Sequence, residues 1–332
     1  MAETGNSKNG SPVLQLPVTE GIMSEEGGGY SWSRKTANSP DGMEQAATGK
    51  IIMITGAGRG IGQAIAKAFA QASAKALILT ALEKSELQET EKSIRSINSD
   101  CGVFSRALDV RDRAGVEDFV KDAASWANGQ IDVLCANAGI APPVESIATS
   151  DPDAWWSGLE INLKGPYLFS RYVLPKMQRK QSGCIIFTSS IAAHLVEIDI
   201  SSYLISKLAL TRLADCIDVE NRKMGITTFA IHPGRIATQL LENIEGPAQD
   251  PESQSPGGFP SLDDASLPGP ACVFLASGQA DFLSGRFVDI TTGLANICKE
   301  KDVILENDLL RVGVSARWTQ ENGKELYSRT LR

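Results

Sequence analysis

Histidine is almost missing from this 332-residue chain, which carries only His194 and His232. With two imidazoles, a His-based metal centre is not expected. The six cysteines (Cys101, Cys135, Cys184, Cys216, Cys272 and Cys298) contain no C-x-x-C pair. They are expected to be reduced and mostly buried rather than disulfide-bonded or metal-bound, and Cys135 and Cys184 lie inside apolar runs. A basic surface is lacking too. Lys and Arg number 32 against 40 Asp and Glu, a net charge of -8. That excludes a surface built for nucleic acid or anionic lipid, which needs clustered cations. No apolar run approaches the ~18–20 residues that cross a bilayer. Residues 1–48 have no continuous apolar stretch and carry Glu3, Glu20, Glu25, Glu26, Asp41 and Glu44, the wrong make-up for a signal or transit peptide. The final Thr330-Leu331-Arg332 is not a peroxisomal signal. The expected setting is the cytoplasm.

What is present is ordinary globular material: 42% hydrophobic and 22% charged residues, enough to bury a substantial core. Residues 1–48, rich in Gly, Ser, Asn, Pro and Glu without periodicity, read as a disordered tail. From Lys50 onward strands and helices alternate. Strands are expected at Ile51–Thr55, Ala76–Thr80, Gly102–Leu108, Ile131–Ala136, Cys184–Ser189, Thr227–His232 and Phe287–Ile290. Helices are expected at Ile61–Ala72, Lys84–Ile97, Arg113–Trp126, Asp153–Gln178, Ser202–Met224 and Asp263–Ala276. Pro166 and Pro175 are expected to kink or end the fourth of these. The pattern predicts one α/β domain over 49–296, a doubly wound parallel seven-stranded sheet with helices on both faces. Within it, the turn-rich stretch at about 239–262 reads as a lid. Residues 297–332, charged and beyond the last strand, read as a C-terminal extension on the surface or facing a partner.

The first strand runs directly into Thr55-Gly56-Ala57-Gly58-Arg59-Gly60-Ile61-Gly62 and then an Ala-rich helix. Glycines at 56, 60 and 62 permit a tight turn and let backbone amides approach a pyrophosphate at a helix N-terminus. The spacing is T-G-x-x-x-G-x-G, and its place at the first strand–helix junction makes it a dinucleotide loop rather than a mere turn. An acidic residue ending the second strand would hold the ribose 2′-hydroxyl of NAD. That strand ends Thr80-Ala81-Leu82-Glu83, with Ala in the expected place and Glu83 two residues late. Arg59 can meet a 2′-phosphate instead, so NADP(H) is expected over NAD(H).

Ser202-Tyr203-Leu204-Ile205-Ser206-Lys207 opens a helix. Residues i and i+4 share a helix face, so the Lys207 ammonium lies close to the Tyr203 phenol. A free tyrosine, with a pKa near ~10, is a poor base at neutral pH, and a nearby cation favours its phenolate. Such a pair is common by chance; its neighbours give it weight. Ser190, thirteen residues earlier, can donate a hydrogen bond to a reacting oxygen. Ser189 competes for that role, but facing alternates along a strand and only one of the two should point inward. Asn162, polar within an apolar helix face, must be bonded and can hold a water that feeds protons to Lys207.

Together these residues resemble the short-chain dehydrogenase/reductase family, in its compact branch with one Rossmann-type domain. The likeness covers about residues 48–295. It includes the loop Thr55–Gly62, Asp109-Val110, Asn137-Ala138-Gly139, then Asn162, Ser190, Tyr203 and Lys207, and finally Pro233-Gly234 with Thr238. The resemblance implies a catalytic group of Asn162, Ser190, Tyr203 and Lys207. It also implies Asp109 near the adenine, Asn137 holding the sheet beside the cofactor, and Ile236 and Thr238 near the carboxamide or phosphates. The Asp281–Gly285 stretch and the charged extension look like fungal members. The departure is at Ala81-Leu82, where the family usually shows Asp or a basic residue.

The activity implied is interconversion of a ketone and a secondary alcohol by hydride transfer. Tyr203 acts as general acid and base, and Lys207 also binds the nicotinamide ribose. His194, Leu195, Val196 and Ile198, beneath the lid, are expected to line a pocket for a hydrophobic small molecule, such as a secondary metabolite. Trp155 and Trp156 suit helix packing or a subunit interface better than the pocket. A homodimer or homotetramer is expected by resemblance, joined through the helices Asp153–Gln178 and Ser202–Met224. A catalytically silent dinucleotide-binding regulator or redox sensor is the alternative, but it should show a broken catalytic group. Dehydration or epimerisation would call for T-G-x-x-G-x-x-G and a larger C-terminal domain, and neither is present.

Overall fold

Alternate residues of the first strand serve two different cores. In the computed structural model, which describes residues 43–245, 262–319 and 325–331, β1 (Ile51–Thr55) sends Ile52 and Ile54 into one apolar cluster. Ile51 and Met53 enter the cluster on the opposite face. Side chains alternate along a strand, so a strand buried on both faces must be apolar throughout.

The chain continues as α1 (Gly60–Gln71), β2 (Ala76–Ala81), α2 (Lys84–Ile97), β3 (Gly102–Ala107), α3 (Arg113–Trp126) and β4 (Val133–Ala136). Next come α4 (Pro152–Leu159), α5 (Gly165–Lys180), β5 (Gly183–Thr188), α6 (Ser201–Asn221), β6 (Ile226–His232), α7 (Gln239–Glu245), α8 (Pro268–Ala276) and β7 (Arg286–Asp289). Two short helices, α9 (Leu294–Lys299) and α10 (Lys301–Glu306), precede a hairpin of β8 (Val314–Thr319) and β9 (Glu325–Leu331).

Strands β1 to β7 form one sheet in the order β3-β2-β1-β4-β5-β6-β7, every neighbouring pair parallel. This is the doubly wound Rossmann arrangement expected. Ile65 and Phe69 of α1 and Val273 and Leu275 of α8 cover one face. Phe119 of α3, Phe169 of α5 and Leu210 of α6 cover the other. Strand order reverses between β1 and β4, the crevice where such folds bind ligands at the carboxyl ends of their strands.

Several expectations are sharpened. Pro166 and Pro175 do not stop the long helix. Its irregularity is a single π-turn, Glu160–Lys164, joining α4 to α5, with Pro166 in the first turn of α5 and Pro175 inside it. The helix expected from Asp263 begins at Pro268, because the Asp263 carboxylate instead accepts the Arg235 amide at 2.8 Å. Order extends earlier than residue 49: Met43 and Ala47 are buried, and the Ala47 amide donates to the Ala72 carbonyl at 3.0 Å. The rest of the proposed tail and residues 246–261 of the proposed lid lie outside the described residues. Cys101, Cys135, Cys184 and Cys272 are buried, Cys298 partly so and Cys216 exposed, all of them free.

The first part of the proposed extension is built into the body. Ile297 and Ile304 belong to the same core as Ile52 and Ile54. The Phe287 amide of edge strand β7 donates to the Leu310 carbonyl at 2.8 Å, which covers part of a sheet edge that would otherwise stay open. Arg311, nearly buried, donates to the carbonyls of Gly285 (3.0 Å) and Ser284 (3.3 Å) and pairs with Asp215, Asp218 and Asp308. Among the described residues no helix is long and apolar enough to cross a membrane.

Candidate active site

The glycine loop is shaped by contacts that exclude side chains. A Cβ on Gly62 would fall 2.0 Å from the Gly56 carbonyl oxygen. Gly56 itself has φ +64 and lies against Ala138, whose Cα would be 2.8 Å from its added Cβ. Gly60, with φ +54, opens α1 and faces the Thr238 methyl. The result is a bare backbone cradle at a helix N-terminus, which fits the pyrophosphate of a dinucleotide. Ile61, partly buried, packs against the core behind it.

Asn137 braces this cradle. Its Nδ2 donates to the carbonyls of Thr55 and Gly56 at 3.2 Å each, and its Oδ1 accepts from the Thr188 hydroxyl at 3.2 Å. Thr55 Oγ1 accepts the amides of Asn137 and Ala138 at 3.0 Å. Three strand ends are thereby tied together. The Pro233-Gly234 turn, with Gly234 at φ +92, leads to Ile236, which is buried and bridged to Asp263. Thr238 is thus delivered to the glycine loop. Asp109 has its carboxyl held below the usual range by hydrogen bonds from Arg111, and Val110 packs against Gly165.

Asn162 sits fully buried in the π-turn. Its Oδ1 accepts the Ile140 amide (2.8 Å), while its Nδ2 donates to the Ile140 carbonyl (2.9 Å) and to Ser206 Oγ (3.0 Å). Ser206 in turn donates to the Tyr203 carbonyl at 2.8 Å. Pro166 carries no N–H for the Asn162 carbonyl four residues before it. Single π-turns recur at functional sites because they re-aim one residue without ending a helix.

Ser189 and Ser190, just beyond the end of β5, take different partners. Ser189 Oγ donates to the Lys207 carbonyl (3.0 Å) and shares a hydrogen bond with Thr211 (2.8 Å) inside α6. Ser190 faces the other way and accepts the Ala192 amide at 3.1 Å, with its hydroxyl on the Tyr203 side. Burial raises the Tyr203 pKa above its ordinary value, and the neighbouring Ser190 hydroxyl opposes this. The Lys207 ammonium donates to the Thr188 carbonyl at 2.8 Å and stands 5.5 Å from the Tyr203 ring centroid. Burial draws its pKa down to about 8. Gly139 leaves room for this group, since an added Cβ would lie 3.2 Å from Asn162 Oδ1 and 3.4 Å from Lys207 Nζ.

A small, shallow recess borders Tyr203, walled by Pro142, Glu145, Trp155, Asp199 and Ser201 among others. Trp155 belongs to it and also packs, its indole N–H donating to Ser201 at 2.9 Å. Trp156 is exposed. His194 does not line this recess; its ring stands edge-on to Phe287, 4.3 Å away, and burial lowers its pKa. Val196 and Ile198 are 94% and 84% exposed.

Arg59 Nε pairs with Glu86 Oε1 at 3.0 Å at the partly exposed edge of the glycine loop. Sequence reasoning missed Glu86, and also Ser206, Thr188 and Thr90. Only Ser206 left a local sign, a hydroxyl within a helix that must find a partner.

Residues 50–248 match the short chain dehydrogenase family model. The chain is 33% identical over 296 residues to the short chain dehydrogenase mpl6 of Monascus purpureus, covering 86% of this chain and 96% of that one. It is similar in structure to levodione reductase, with a TM-score of 0.66 and 26% identity over 73% of this chain and 96% of that chain. The same holds for 7 alpha-hydroxysteroid dehydrogenase complexed with NADH and 7-oxo glycochenodeoxycholic acid, with a TM-score of 0.66 and 25% identity over 75% and 96%. The chain belongs to the short-chain dehydrogenase/reductase family. It is an oxidoreductase of the kind that acts on CH–OH and C=O groups with a nicotinamide dinucleotide.

Proposed function

We propose that this enzyme interconverts a ketone and a secondary alcohol, with Tyr203 exchanging the proton. The observation that carries the reading is the convergence of Ser190 and Lys207 on the buried Tyr203. The residues Thr55 to Gly62, Asn137 to Gly139, Gly234, Ile236 and Thr238 surround the crevice where the dinucleotide would be held, and Asp109-Val110 follow the neighbouring strand β3. When bound, the nicotinamide supplies or accepts the hydride.

In the reducing direction Tyr203, kept protonated by burial, gives its phenolic proton to the carbonyl oxygen, and Ser190 donates a second hydrogen bond to that oxygen. Lys207, an ammonium at neutral pH, stabilises the phenolate left behind. Asn162 completes the relay: its side chain fixes the π-turn beside Ser206, and in this reading it holds a water that feeds protons to Lys207. In alcohol oxidation the same groups act in reverse.

Exposed apolar side chains on the segments that wall the recess support a hydrophobic small-molecule substrate. Leu195, Val196 and Ile198 precede the Asp199–Tyr203 wall of the recess in sequence, Val144 and Ile147 flank Glu145, and all five are exposed. The two segments are joined by the Glu145 amide donating to the Asp199 carbonyl at 2.8 Å. Exposed Trp156, Tyr167, Ile205 and Leu208 on α4, α5 and α6 support a homo-oligomer, which sedimentation would refute by showing monomer only. A cytoplasmic setting remains part of this reading.

Tyr203→Phe tests the chemistry. The variant should bind dinucleotide as the parent does and lose turnover across a panel of ketones and alcohols; an active variant would overturn the role given to Tyr203.

A further inference from the structure

The acidic group that the end of β2 lacks is supplied by α2. Ala81, the last residue of β2, is buried and carries no polar atom on its side chain. Gly58, in the glycine loop, faces it: a Cβ there would lie 3.1 Å from the Ala81 methyl, 2.5 Å from Glu86 Cβ and 2.8 Å from Glu86 Oε2. The Glu86 carboxylate therefore sits between the glycine loop and the end of β2, and Gly58 is the residue that leaves it space.

Two devices fix it there. Glu86 lies in the first turn of α2, where the helix dipole favours an anion. One turn further on, Thr90 clamps α2 to the loop, its hydroxyl donating to the Ala57 carbonyl at 2.9 Å and accepting from Gln63 Nε2 at 3.2 Å. Glu86 Oε1 also pairs with Arg59 Nε at 3.0 Å. Arg59 is the cation whose presence favours NADP(H) on residue type alone, and Glu86 offsets its charge.

In a doubly wound fold the adenosine ribose sits beside the end of the second strand, where a carboxylate accepts a bond from the 2′-hydroxyl and an arginine takes a 2′-phosphate. We propose that Glu86 is the specificity-determining residue of the ribose site and selects NAD(H) over NADP(H). It accepts the 2′-hydroxyl, repels a 2′-phosphate, and holds Arg59 away from one. This inference rests on the dinucleotide reading above and replaces the sequence expectation of NADP(H).

Calorimetric titration of the full chain with NADH and NADPH tests it without turnover. The parent protein should bind NADH at least about tenfold more tightly than NADPH, and Glu86→Gln should tighten NADPH by about tenfold while weakening NADH only about threefold. Adding Arg59→Ala to Glu86→Gln should remove the gain for NADPH and leave NADH unchanged, with thermal melts confirming that each variant is folded. A parent that prefers NADPH, or a Glu86→Gln variant with the parent's ratio, overturns the role of Glu86 and leaves the dinucleotide site standing. A folded parent that binds neither dinucleotide overturns both.

Discussion

Asn162 grips both halves of one peptide residue, the amide and the carbonyl of Ile140, at 2.8 and 2.9 Å. This reciprocal pair locks the π-turn to the segment that follows β4, and a third bond reaches Ser206 in α6. Asn162→Ala removes the partners of the partly buried Ile140 amide and carbonyl and one of the two bonds of the buried Ser206 hydroxyl. The expected cost is about 2–4 kcal/mol in urea unfolding, with a fall in kcat larger than any change in KM. Unchanged stability would show that the clip is not structural.

The two adjacent serines should separate cleanly. Ser190→Ala removes a bond to the reacting oxygen and should cut kcat about 100- to 1000-fold with little change in melting temperature. Ser189→Ala should do the opposite, costing about 1 kcal/mol and leaving turnover near the parent's. Equal kinetic effects would mean that their different facing beyond β5 does not decide their roles.

Lys207 should leave a mark on the pH dependence of stability in the dinucleotide-free protein. Its folded pKa is drawn down to about 8, against 10.5 for an ordinary lysine. Between those values the unfolded chain binds the proton that the folded chain does not, so stability rises with pH across that window. The rise approaches about 3 kcal/mol. Above pH ~10 the raised pKa of Tyr203 works the other way and stability falls. Lys207→Met should flatten the rise, as followed by urea midpoints from pH 7 to 10; a slope equal to the parent's would contradict this burial effect.

Arg311 should matter more than a residue in a charged surface segment. Its removal leaves Asp218, fully buried, and Asp215, largely so, short of a counter-charge. Arg311→Ala is expected to lower unfolding free energy by about 3–5 kcal/mol. A loss below about 1 kcal/mol would place it with ordinary exposed ion pairs.

The parts legible in the sequence were those with local causes. Helices α2 and α3 follow from their apolar spacing at the bounds expected, and the strands from apolar runs within two residues. The glycine loop was legible because sterics at Gly56 and Gly62 leave no other residue type. What the sequence hid were pairings between distant positions. Nothing local tells that Arg59 meets Glu86, or that Arg311 meets Asp215, 96 positions earlier. Residues 297–311 looked like surface because their charges are plain and their partners are not. The π-turn was hidden because Pro166 suggests a break, whereas one wider turn absorbs it.

The Arg311 clamp also sets an order of events during synthesis. The helix that bears Tyr203 and Lys207 emerges with Asp215 and Asp218 well before Arg311 does. At about 5–20 residues per second the interval is roughly 5–20 s. During it the helix depends on its own nearby cations, Arg212 beside Asp215 and Arg222 beside Asp218. A nascent chain halted before Arg311 should therefore hold its catalytic helix by provisional pairings alone.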